Sequence, residues 1–245
     1  MNISKQIIPA MFIAMAGFFH GCDSPKSYDA TTIGEMESLI KKGDMTTHMS
    51  LKDLQNTPHL FAIGSVTNLK GFIVVNDSKP YTSFIQGDSV AIDSSWNTDA
   101  TLLVYATAEK WKEIPVPADV KDWKQLENFV MTSAKQNKMN LDAAFPFLVK
   151  GNIARMNWRV TDWDIADKEV TNKKVKNSGL KGEANEVYAT LVGFYSDKQY
   201  RVLAEHSTKM HIHFVSDDRK VSGHADDLLL GGNVMLYLPE EVSPK

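Results

Sequence analysis

Only one cysteine, Cys22, stands in the chain, so an intrachain disulfide is excluded and any core is held by packing alone. Basic charge is not in excess either: 27 Lys and Arg face 30 Asp and Glu, for a formal net charge of −3. That balance recommends no nucleic-acid partner. The chain has no internal repeat and no low-complexity tract. Its longest apolar stretch, Ile7 to Phe19, is interrupted by Pro9 and falls short of the ~20 residues a membrane span requires. What remains is ordinary for a globular protein, 43% hydrophobic and 23% charged, and 245 residues suffice for one large domain or two small ones around a sizeable core.

The first 21 residues have the order of a signal peptide: Lys5, the apolar stretch, then Gly21 before Cys22. Cys22 stands where a bacterial lipoprotein carries its lipid-modified cysteine, although Phe19 and His20 replace the usual Leu and small residue. The expectation is export and a lipid anchor at Cys22, holding the protein on a membrane and facing the periplasm or exterior. The alternatives are a plain secretory signal or a buried N-terminal helix. Residues 22–30 then read as a tether.

Beyond the tether, Ile33, Met36, Leu39 and Ile40 are spaced for a helix over 32–42 that stops at Gly43. Ser50 to Leu54 starts a second, short helix with Ser50 as N-cap. Strands are expected at Leu60 to Val66, Gly71 to Val75, Tyr81 to Ile85 and Thr101 to Thr107, with Asn76-Asp77-Ser78 as a turn. Trp123 to Gln136 carries a helical apolar face; Phe145 to Gly151, Ile153 to Val160 and Val187 to Tyr195 read as strands. The polar, lysine-rich stretch from Asp162 to Gly182 reads as a linker or long loop. The expected division is a β-rich N-terminal part, 31–165, and a C-terminal part, 166–245.

Chemistry concentrates in the C-terminal part. In Met210-His211-Ile212-His213-Phe214, period-2 alternation sends the three apolar side chains one way and both imidazoles the other. Ser216 to Lys220 is turn chemistry, after which an antiparallel return brings Ser222-Gly223-His224 beside the pair, Gly223 permitting close backbone approach. Three neutral imidazoles make a metal site with an open coordination position, zinc or another divalent ion being the expected cofactor. The competing reading is three histidines with no metal.

The stretch His211 to Arg219, with Gly223-His224, resembles the metal-binding signature of the acetolactate decarboxylase family: His-aliphatic-His-Phe, an acidic-basic turn, then Gly-Gly-His. Thr190 to Tyr195, Ala62 to Gly71 and Ser50 to Leu54 are similar to further family segments, and together the resemblance covers most of 45–240. It implies an α/β fold of α+β type, with two mixed or antiparallel sheet subdomains, a few helices, the metal near their junction, and a homodimer. It also implies His211, His213 and His224 as ligands, and a small hydroxy-keto acid substrate, 2-acetolactate, converted to acetoin and carbon dioxide. A family arginine that faces the substrate corresponds to Arg159, or to Arg155 if the alignment slips; an ordinary strand-surface charge is the alternative.

Two family carboxylates are not matched. Phe72 stands where the family has a glutamate, and the family's C-terminal tail, whose last glutamate reaches the site, has no counterpart before Lys245. Glu240, Glu241, Asp217 and His206 are the groups considered as replacements. The expectation is therefore a metal-dependent carboxy-lyase. The alternatives are a metal-keeping relative that binds a ligand or partner without turnover, and a hydrolase built on zinc-bound water.

Overall fold

In the computed structural model, the described residues are 28, 30–198 and 208–240. The signal-peptide segment, Cys22, His206 and Glu241 lie outside them. The first sheet is built from β1 (Thr31–Ile33), β2 (Met49–Ser50), β3 (Leu60–Val66), β4 (Phe72–Asn76), β5 (Lys79–Gln86), β6 (Ser89–Asp93) and β7 (Asp99–Thr107), ordered β1-β7-β3-β4-β5-β6 with β2 also on β7. The second contains β8 (Lys110–Pro115), β9 (Phe145–Val160), β10 (Leu180–Tyr195), β11 (Met210–Ser216), β12 (Ser222–Leu230) and β13 (Met235–Glu240). Its order is β10-β11-β12-β9-β13-β8, with β10 also pairing β9. Among the described residues three α-helices accompany them, α1 (Met36–Lys42), α2 (Trp123–Gln136) and α3 (Asn172–Asn177), with short 3-10 turns at Leu51–Leu54 and Thr67–Leu69. Every strand pairing is antiparallel. This is the α+β, two-sheet architecture expected.

The sheets pack face to face. Phe61, Ile63, Val74 and Val104 of the first meet Leu148, Val192, Phe194 and Val215 of the second in one buried cluster. The second sheet's other face, which carries Met210, Ile212 and Phe214, is covered by Leu126, Val130 and Ala134 of α2. α2 starts where the sequence places it because Asp122 accepts from the Gln125 amide while the Gln125 side chain accepts from the Asp122 amide, a reciprocal capping box.

Several expectations are corrected. Residues 31–33 are strand, paired with Leu103 to Tyr105, and the helix begins only at Met36, since Gly34 sits at φ 73° between them. Phe145 to Val160 is one 16-residue strand rather than two: Gly151, at φ 144°, keeps register with Ala189 and absorbs what reads as a break. The lysine-rich stretch is no linker. Trp163 and Val170 are buried with Leu39 and Leu69, while Lys174 pairs with Asp167 and Glu169 outside that packing. Accordingly the change of sheet falls between Thr107 and Lys110, not at residue 165, with β8 and β9 joining the second sheet. The end of the tether is docked too, Tyr28 and Ala30 packing against the core.

Candidate metal centre

β11 is paired with β10 along its whole length but with β12 over only three residue pairs, ending at His213↔His224. Alternation carries His211 and His213 to the face that looks at the first sheet, so they lie at the junction of the two sheets. Gly223 makes the return possible, because a Cβ there would stand 2.6 Å from the Arg159 carbonyl oxygen. One potential ligand nitrogen from each of His211, His213 and His224 lies within 4.8 Å of the others.

The rings are prepared differently. His213 is fully buried, and its Nδ1–H donates to the Ile73 carbonyl at 2.9 Å, which leaves the Nε2 lone pair facing His211 Nε2 at 3.1 Å. Tetrahedral zinc with Zn–N of about 2.0–2.1 Å separates its ligand nitrogens by about 3.3 Å, so this spacing suits a shared ion. Burial first, then the charges of His211 and Arg159, holds His213 well below the ordinary imidazole range despite that hydrogen bond. His224 is held well below it as well, by burial and then by Arg159, His211, His213 and Lys176. Neutral imidazoles are what a metal ligand set requires. The residues present fit a divalent cation.

Arg159 is the cross-strand partner of His224, and its side chain is 8% exposed, so it is no surface charge. It lines the cavity beside His211 and His224. Arg155 does not line that cavity; it pairs with Asp227 at 3.4 Å. Phe72 is buried in the same place. Its ring meets His213 edge-on at 4.9 Å, lies 5.5 Å from His224, and has the Arg159 guanidinium 5.9 Å from its centroid. Asp217 is exposed beyond the far end of β11, and Glu240 is exposed opposite Lys110; neither lines the cavity.

The carboxylate that is there was not singled out from the sequence. Asp226 forms an ion pair with Arg159, and its Oδ1 lies 3.1 Å from His224 Nδ1, off the line of a hydrogen bond. The signal was available, since His224 and Asp226 share a face by alternation. A register shift between Ala225 and Asp227 leaves Asp226 without a partner residue on β9, as in a β-bulge, which re-aims side chains at a site.

Two antiparallel sheets thus meet at three convergent imidazoles and a buried guanidinium, a donor set of the kind that holds a divalent cation beside an anion. The alpha-acetolactate decarboxylase family model matches residues 32–238, and the chain belongs to that family. Solved structures share the fold. Acetolactate decarboxylase from Bacillus subtilis subspecies spizizenii superposes with a TM-score of 0.71 at 15% identity, covering 87% of this chain and 87% of that one. The enzyme from Bacillus subtilis strain 168 gives 0.69 at 15%, covering 87% and 86%. A Staphylococcus aureus protein of unknown function, similar to alpha-acetolactate decarboxylase, gives 0.67 at 15%, covering 86% and 84%. No curated protein matches the chain.

Proposed function

We propose that the protein is a metal-dependent carboxy-lyase acting on a small 2-hydroxy-3-oxo acid of the 2-acetolactate type, anchored outside the cytoplasm through Cys22. The observation that carries this reading is the alignment of His224 and Arg159 as cross-strand partners, beside His211 and His213, in a chain of this family. A divalent ion in such a site supplies Lewis-acid polarisation of substrate oxygens. His213 is fixed in orientation and tautomer by Ile73, so its free nitrogen is ready without reorganisation. Arg159 offers a guanidinium fork to a carboxylate or to a developing oxyanion. Asp226 holds that fork in place and sits beside the His224 ring. Phe72 excludes water from one side of the imidazoles. In the reaction, the bond from C2 to the carboxylate carbon breaks, carbon dioxide leaves, the electron pair moves onto the neighbouring carbonyl, and C2 finally takes a proton.

Phe72 also supports a second reading, a relative that keeps the ion and binds a ligand without turnover. A phenyl ring donates no proton, and losing a general acid commonly removes ~10²–10⁴ in rate. One experiment separates the two: metal analysis of the purified protein with an acetoin assay on racemic 2-acetolactate. Acetoin formation that Arg159→Ala abolishes supports the lyase. Bound metal without acetoin, in a folded protein, supports the binding relative, and Phe72→Glu should then restore measurable turnover if the fold survives a buried carboxylate.

A further inference from the structure

The cavity beside the histidines is larger and greasier than a five-carbon hydroxy-keto acid needs. Its volume is about 410 Å³. The nine non-hydrogen atoms of 2-acetolactate, even at ~30 Å³ each, fill only ~270 Å³. The unused ~140 Å³ has room for about four methylene-sized groups on the same scale.

The lining is divided by chemistry. Strands of the second sheet bring His211, His224 and Arg159 to it, and Thr161 follows the end of β9. Thr161 is fully buried, and its Oγ1 has no hydrogen-bond partner among the described residues, so a polar ligand atom would satisfy it. One continuous side of the wall is apolar: Met36, Leu39 and Ile40 from α1, with Leu69, Leu102 and Val175, whereas Ser65, Asn172 and Thr208 are polar points elsewhere in the lining. The six apolar residues belong to one packed hydrophobic cluster that borders the cavity. Charge also favours an anion once a divalent cation is present, because Asp226 and Asp227 are each paired with an arginine.

Resting on the lyase reading above, we infer that the cavity takes a 2-hydroxy carboxylate carrying an apolar substituent several carbons longer than methyl. The hydroxyl and carboxylate face the histidines, Arg159 and Thr161, and the alkyl group lies against α1, Leu69 and Val175. Burial of that chain, rather than any added polar contact, distinguishes the substrate from 2-acetolactate.

The test uses non-reactive analogues, 2-hydroxy-2-methylalkanoates from three to seven carbons in the main chain, titrated calorimetrically into the full-length protein loaded with one equivalent of zinc. Affinity should tighten about fourfold per added methylene (~0.8 kcal/mol each), or ~200-fold over the series. Val175→Phe, with Ile40→Phe in parallel, should narrow the wall and cut the gain over the series below tenfold. Equal affinity along the series would overturn the inference and leave the lyase reading standing. A slope that survives in both variants would overturn the assignment of this wall. Failure of every analogue to bind a zinc-loaded, folded protein would instead overturn the hydroxy-acid reading itself.

Discussion

His213 shows how much one side chain is asked to do. It has no exposed surface, its Nδ1–H is committed to Ile73, and its Nε2 is aimed at the point shared with His211 and His224. His213→Ala should therefore reduce zinc from close to one per chain to a small fraction, read by elemental analysis after dialysis, since two imidazoles remain. Full occupancy in the His211→Ala, His213→Ala double variant would place the ion elsewhere. The same residues give the metal-free protein a pH dependence. His213 and His224 titrate below the ordinary value of 6.5 when folded, so below about pH 6.5 the unfolded chain binds protons that the folded chain refuses. Their stabilising contribution is present above that pH and is lost as pH falls, by at most ~2.7 kcal/mol per unit for two groups. In the presence of chelator, the urea midpoint should drop between pH 7.5 and 5.5. A midpoint that holds or rises would remove these two residues as the cause.

At the scale of elements, what positions the site and what merely supports it come apart. α2 covers the face of the second sheet that carries Met210, Ile212 and Phe214, opposite the histidines. Asp122→Ala removes its reciprocal cap and should cost about 1 kcal/mol, seen as a lower urea midpoint with zinc content unchanged. Gly223→Ala should behave otherwise. Its new methyl would press on the Arg159 backbone, 2.6 Å away, at the point where β12 carries His224 to His213. Overpacking of that kind costs about 1–3 kcal/mol, and here the strain is relieved by pushing β12 off β9, so zinc affinity should fall along with stability. Equal zinc affinity in both variants would mean that the β9–β12 contact does not set the ligand geometry.

For the whole molecule, the anchoring expectation has a direct check: Cys22→Ser should move the protein from the membrane fraction to the soluble one or halt its processing, because lipidation requires the thiol. Unchanged fractionation would remove the lipid anchor from the account. Patterns repeated along a segment were legible without coordinates. The alternation in 210–214 told which way the histidines point, the apolar spacing of Trp123 to Gln136 marked α2, and Asn76-Asp77-Ser78 marked its turn, since each depends on neighbours in the chain. Arg159 was found through the family pattern, but its burial and its pairing with His224 come from strands more than sixty residues apart. Tertiary structure alone decided the rest. It joined 145–160 into one strand across Gly151, drew Trp163 and Val170 out of a lysine-rich stretch into the core, set Phe72 against His213, and turned Asp226 toward Arg159 at a register shift. Each of these depends on which surface is brought opposite by a distant strand, and a local pattern carries no record of its partner.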